Sequence, residues 1–246
     1  MRLLLVPEDR VIPKVGLHNE ATREAWLEHA LKQIRPGSRI LDAGAGELKY
    51  RKFCSHLDYV SQDFARYDGV GDSEGLQMGS WDQSRLDIVS DITSIPELDG
   101  SFDAIMCVEV FEHLPDPLLA LKEFRRLLKN DGTLIITAPF CSLTHFAPFH
   151  FYSGFNKYFY MEHLPKMGFF IREIVGNGNY FEYIAQEIRR IGNIGARYAG
   201  DGPRIWEKAA IVAILNMLAR FSEKDSGSEE TLAFGFHVVA VKSEAR

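Results

Sequence analysis

Arg39-Ile40-Leu41-Asp42-Ala43-Gly44-Ala45-Gly46-Glu47 reads as a short buried strand that ends on an acid and runs through two glycines into a helix. The first glycine suits the tight turn. The second lets a ligand lie against bare backbone, the arrangement that opens the nucleotide crevice of a doubly wound sheet. A dinucleotide fingerprint needs a third glycine three positions after the second, and Lys49 stands there. That disfavours a pyrophosphate cradle. An adenosine ligand without phosphates, held through its ribose and base, needs only the first two glycines. On the motif alone a strand–helix turn with no ligand is the commoner reading, so the weight falls on the segments that follow.

Asp58-Tyr59-Val60-Ser61-Gln62-Asp63 reads as a second strand, closing on an acid 21 positions past Asp42. That matches the spacing of about 20 residues at which a carboxylate accepts hydrogen bonds from ribose hydroxyls. Leu86 to Ser90 gives a third strand that ends in Asp91-Ile92, Phe102 to Val108 a fourth, and Leu134 to Ala138 a fifth. Three acids at the carboxyl ends of successive strands are charges beside a buried sheet, and a shared ligand accounts for them economically.

This order and spacing resemble the class I S-adenosylmethionine-dependent methyltransferases over residues 20–175, with the end strand at 233–241. The resemblance implies an α/β fold: a doubly wound, Rossmann-like seven-stranded sheet with a helical insertion before the last strand. It further implies a turn under the methionine part of the cofactor at Asp42, Gly44 and Gly46, with Ala43 and Val108 also in the cofactor site. Asp63 would hold the ribose, Asp91 the adenine amino group and the Ile92 backbone the adenine ring nitrogen.

The composition fits one domain over 1–246, 46% apolar and 25% charged, with a core at 19–175 and 233–241. A net charge of −6 argues against a broad electrostatic grip on nucleic acid. Cys54, Cys107 and Cys141 are odd in number and lack zinc spacing, which points to a reduced, cytoplasmic setting. Met1 to Val6, followed at once by Pro7 and two acids, does not read as a signal peptide. The longest apolar stretch, Ala209 to Ala219, is about half of the ~20 residues a membrane span needs.

Asn19 is a plausible cap for a helix through Gln33, and Asp116-Pro117 is a strong start for another whose buried stripe is Leu118, Leu121, Phe124, Leu127 and Leu128. Asn130-Asp131-Gly132 then turns the chain into the fifth strand. A short helix is expected near Lys49 to Ser55, another near Asn156 to Lys166, and a sixth strand over Phe169 to Val175. Between Asp63 and Leu86 the chain is polar and glycine-rich, as suits a surface loop over the crevice. Residues 176–232 read as two helices, near Tyr180 to Ile191 and Ile205 to Phe221, split by Gly192, Gly195, Gly200 and Gly202. Such an insertion suits a lid, a homo-oligomer contact, or a plain cover for one sheet face.

Methyl transfer from a sulfonium requires an acceptor nucleophile in line with the sulfur and a base within hydrogen-bond reach. His145 and His150, just beyond the fifth strand, are the candidate catalytic bases, weighed evenly against a backbone-bonding role. Glu109-Val110-Phe111-Glu112-His113 resembles the metal-binding motif of ubiquinone-pathway O-methyltransferases and small-RNA 2′-O-methyltransferases. It makes Glu109, Glu112 and His113 candidate ligands for Mg²⁺ or Mn²⁺, with a helix-flanking role as the alternative. The stretch from Pro148 to Ser153 with Gly168-Phe169 also resembles bacterial polysaccharide and sugar-pathway methyltransferases. The expected activity is O-methylation of a saccharide or other hydroxylated small molecule. Transfer to an amine or an RNA ribose, and a non-catalytic cofactor-binding module, are the competing readings.

Overall fold

The computed structural model describes residues 12–243, so the amino-terminal run read above lies outside the described residues. The chain divides into two compact units: residues 23–176 with 235–243, and residues 12–22 with 177–234.

The larger unit is built on strands β1 (Arg39–Ala43), β2 (Asp58–Asp63), β3 (Ile88–Val89), β4 (Phe102–Val108), β5 (Leu128–Pro139), β6 (Phe169–Asn177) and β7 (Gly235–Lys242). They form one sheet in the order β3-β2-β1-β4-β5-β7-β6. β1 to β5 pair in parallel, and β7 runs antiparallel to β5. The strand order reverses between β1 and β4, where an open α/β sheet leaves a crevice beyond its carboxyl ends.

Parallel strands are covered on both faces and so read as nearly continuous apolar runs. Side chains alternate along each strand, which sorts the runs into two layers. Leu41, Ile105, Cys107, Leu134 and Ile136 pack with Leu121, Phe124 and Leu127 of helix α2 (Pro117–Leu127). Ile40, Ala104, Met106 and Ile135 pack with Leu27, Ala30 and Leu31 of helix α1 (Asn19–Lys32). Asp116 caps α2 as its sequence suggests, its carboxylate accepting from the backbone N–H of Leu118 at 2.9 Å and Leu119 at 3.3 Å. Asn156 does the same for helix α3 (Lys157–Lys166).

Three elements differ from the sequence reading. The helix expected near Lys49 is a single 3₁₀ turn at Arg51–Phe53. The third strand shrinks to Ile88–Val89 at the sheet edge, because Asp87 accepts instead from the backbone N–H and hydroxyl of Ser61. The turn at Asn130 to Gly132 is an irregularity inside β5, where the register against β4 shifts and Asp131 takes a positive φ of 61°.

The smaller unit holds α4 (Tyr180–Tyr198) and α5 (Ile205–Ser222), closed around Val15, Ala185, Leu215 and Leu218. Gly192 and Gly195 do not break the chain as expected; α4 runs through both. A Cβ at Gly195 would lie 3.0 Å from the Asp201 carbonyl oxygen, so the bare backbone lets the connecting loop fold back on the helix. That contact accompanies a glycine that costs a helix about 1 kcal/mol relative to alanine.

Candidate functional site

The glycine turn is fixed by backbone bonds from the neighbouring strand. Gly44 and Ala45 both donate their N–H to the Gln62 carbonyl, at 2.8 and 2.9 Å, and Gly46 donates to Asp63 Oδ2 at 3.0 Å. Gly44 and Gly46 sit at φ of 82° and 52°, where a side chain is strained. A Cβ would also stand 2.4 Å from Val110 Cγ2 at Gly44 and 2.6 Å from Trp81 Cζ2 at Gly46.

The structure brings Asp42 and Asp63 to this turn and leaves Asp91 at the surface. Asp42 is buried and accepts from the Tyr59 hydroxyl at 2.6 Å. Burial pushes its carboxyl up to about 7; the Tyr59 bond opposes the rise and nearby Asp63 adds to it. Asp63 Oδ1 accepts from the Ala65 N–H at 3.1 Å and from Gln83 Nε2 at 2.9 Å. Asp91 Oδ1 accepts from the Thr93 N–H and hydroxyl, which hold it below the usual carboxylate range. Ala43 follows Asp42 and Ile92 follows Asp91 in the chain, and both are buried, as is Val108 at the carboxyl end of β4.

Beyond β4, Glu109 adopts a positive φ of 55°. Its Oε1 accepts from the Thr137 hydroxyl at 2.9 Å and its Oε2 faces Arg23 at 3.1 Å. Glu112 goes elsewhere. It is 1% exposed, and its Oε1 lies 3.7 Å from His113 Nε2 and 3.9 Å from His145 Nε2. Among the described residues, the grouping with metal-ligand geometry is therefore Glu112, His113 and His145, with Glu109 outside it. His150 stands next to the set, its ring centroid 4.8 Å from that of His145, with Nε2 3.1 Å from the Ser142 hydroxyl.

The ring protons follow from the partners. His113 Nδ1 is 2.5 Å from the Phe149 carbonyl oxygen and His145 Nδ1 is 2.8 Å from that of Leu143. A carbonyl only accepts, so Nδ1 carries the proton in each neutral ring and both Nε2 lone pairs face Glu112. Burial, then His145, depresses His113 to about 3, while His150 is lowered by burial and by His145. Burial and Glu109 raise Glu112 well above an ordinary carboxyl. Its Oε2 is buried without a hydrogen-bond partner. Two imidazoles whose other nitrogens are anchored to carbonyls, facing Glu112 Oε1, on a side chain whose other oxygen is buried without a partner, fit a divalent first-row ion.

Two loops assemble this cluster. Leu76 bridges to His145, the Leu76 N–H donates to the Thr144 carbonyl at 2.9 Å, and the Asp72 N–H to that of Ala147 at 3.1 Å. Phe146 stacks on Tyr67 at 4.4 Å and on His113 at 5.1 Å, with Trp81 edge-on at 5.2 Å. Sequence reasoning missed Tyr67, Trp81 and Gln83, which sit in the stretch read only as a polar cover. Nothing in its periodicity marks them.

Residues 41–136 match the family model described as a methyltransferase domain. The chain is also 31% identical over 191 residues to the demethylmenaquinone methyltransferase of Renibacterium salmoninarum, covering 74% of each. The chain belongs to the class I S-adenosylmethionine-dependent methyltransferases. To the ubiquinone biosynthesis O-methyltransferase of Xanthomonas campestris pv. campestris (strain B100), this methyltransferase is 32% identical over 129 residues, 51% of this chain and 52% of that relative. It thus spans about half the length of such Xanthomonas relatives. The fold is that of the Haemonchus contortus phosphoethanolamine N-methyltransferase 2 solved with S-adenosyl-L-methionine, at a TM-score of 0.53 and 16% identity over 90% of this chain and 52% of that one. Among the described residues no helix is long and apolar enough to cross a membrane.

Proposed function

We propose that the protein methylates a hydroxyl oxygen of a small, flat acceptor at the Glu112–His113–His145–His150 cluster. The observation that carries this reading is the buried carboxylate facing two oriented imidazoles, in the same unit as the glycine turn. The ubiquinone biosynthesis O-methyltransferases among its relatives support an oxygen acceptor. Phe146, Tyr67 and Trp81 supply stacking faces beside His113, which suit an aromatic ring and also a saccharide.

In this reading Asp42, Ala43, Gly44 and Gly46 form the floor under the methionine part of the cofactor. Asp63 takes the ribose hydroxyls once Gln83 withdraws, and Asp91, Ile92 and Val108 border the adenine. Glu112, His113 and His145 would hold the ion. A bound divalent ion supplies Lewis acidity that lowers the acceptor's pKa, and two imidazoles in the set favour Mn²⁺ over Mg²⁺. His150, lowered by burial, is neutral at pH 7 and receives the acceptor proton, with the Ser142 hydroxyl fixing its ring.

A mass-spectrometric methyl-transfer screen over phenols, sugars, nucleotide sugars and amines tests the reading. The expected result is one added methyl on a hydroxylated acceptor, dependent on the metal. Transfer confined to amines, or cofactor binding with no turnover on any class, would overturn it.

A further inference from the structure

The two oxygens of Glu112 meet different surroundings. Oε1 faces the Nε2 atoms of His113 and His145, while Oε2 is buried without a hydrogen-bond partner. A carboxyl group that holds an ion does so in its ionised form, and here burial and then Glu109 oppose that form. An ionised Oε2 in such surroundings calls for a donor. Arg23, whose charge favours the ionised form, faces Glu109 Oε2 at 3.1 Å, and the Thr137 hydroxyl donates to Glu109 Oε1 at 2.9 Å, so both serve the neighbouring carboxylate.

Helix α3 supplies one. Tyr160 is fully buried, and its hydroxyl has no hydrogen-bond partner either. Its side chain belongs to the core cluster that also holds Cys107 of β4 and Phe111 of the 3₁₀ turn Phe111–His113. The Phe159 ring joins the helix to that turn, its centroid 5.4 Å from that of Tyr160 and 6.4 Å from that of Phe111. Burial pushes the phenol well above its usual range, and Glu109, Glu112 and Cys107 push it further, so the hydroxyl stands in the field of both carboxyl groups and keeps its proton. The Cys107 thiol is a weak donor by comparison. An acceptor and a donor buried in one interior, each without a partner, are more stable paired than apart.

We propose that Tyr160 is a positioning residue for Glu112, its hydroxyl donating to Oε2 once the carboxylate is ionised and Oε1 is engaged by the ion; the inference rests on the ion-binding reading given above. Such a donor holds the ligand's side chain in one orientation and keeps its charge, as hydrogen-bond partners of metal ligands do in general. Tyr160→Phe removes the oxygen and keeps the ring. Calorimetric titration of the wild type and Y160F with Mn²⁺ alone, and separately with S-adenosylhomocysteine, tests the assignment. Y160F should bind Mn²⁺ about 10–100-fold more weakly and S-adenosylhomocysteine as the wild type does. With a chelator present it should melt no lower than the wild type, because the hydroxyl it lacks has no partner in the fold. Equal Mn²⁺ affinity of the two chains overturns the inference and leaves the ion site standing, whereas a wild type that binds no Mn²⁺ removes the site and the inference with it. A Y160F chain that loses Mn²⁺ affinity, cofactor affinity and thermal stability together also overturns it, since that pattern marks a packing role.

Discussion

Asp42 is a carboxyl placed where ionisation is costly, and Asp42→Asn measures that cost. In the folded chain burial raises the group to about 7, against 3.8 for an ordinary aspartate. At about 1.4 kcal/mol per pKa unit the gap corresponds to about 4 kcal/mol. The folded chain therefore binds this proton more tightly than the unfolded chain does. Its stabilising contribution is complete below about 4, declines as pH rises, and is gone above about 7. Asparagine reproduces the neutral form and still accepts from the Tyr59 hydroxyl. Denaturant unfolding of the cofactor-free protein should give nearly equal stabilities for the two chains at pH 4. At pH 8.5 the D42N variant should be more stable than the wild type by about 4 kcal/mol. A difference that does not change with pH, or a less stable D42N at pH 8.5, would refute the burial argument.

Gln83→Ala removes the side chain that donates to Asp63 Oδ1, so S-adenosylmethionine should bind about 2–10-fold more tightly in calorimetry, the equivalent of one net hydrogen bond. Weaker binding would instead make Gln83 part of the cofactor site. Glu112→Gln, or exhaustive chelation of the wild type, should abolish turnover while leaving cofactor affinity within about two-fold, and Mn²⁺ should restore the chelated enzyme; turnover undiminished by chelation would remove the ion from the reading. His150→Asn should lower kcat by roughly 10²–10⁴-fold. The wild-type rate should rise with pH as His150 loses its proton, with an apparent pKa below 6.5; a profile unchanged in the variant would exclude His150 as base. Gly44→Ala forces a Cβ to 2.4 Å from Val110 at a positive φ, and thermal unfolding should show a loss of at least about 1–2 kcal/mol.

The parts of this fold written in local pattern were readable from the residues. The apolar runs of β1, β4 and β5, the Asp116-Pro117 start of α2 and the two glycines each rest on neighbours within a few positions. What escaped depends on pairing between distant segments. His145 meets Glu112 because the loop after β5 is laddered to residues 72–76, a match between two irregular stretches that no periodicity announces. Glu109 fits the E-x-x-E-H spacing but, at a positive φ, commits its two oxygens to Thr137 and Arg23. Gly192 and Gly195 look like breaks in sequence, yet the loop packed on them keeps α4 whole.

The ladder between Leu76 and His145 sets an order of events. On the proposed reading Trp81 and Gln83 leave Gly46 and Asp63 before an adenosine settles there, and the segment that carries them is tied at residues 72–76 to the loop bearing His145. Gly79, at φ 87° with room beside its Cα and its N–H donating to the Gly69 carbonyl at 2.8 Å, lies between the tied residues and those bearing Trp81 and Gln83. A shift that stops at Gly79 would admit the cofactor and leave the histidines in place; one that travels past it would draw His145 from Glu112. On the proposed reading the cofactor enters first, because an acceptor stacked on Phe146, which stands edge-on to Trp81 at 5.2 Å, would block its path. Steady-state kinetics are then expected to give compulsory sequential addition, with inhibition at high acceptor concentration that excess S-adenosylmethionine relieves.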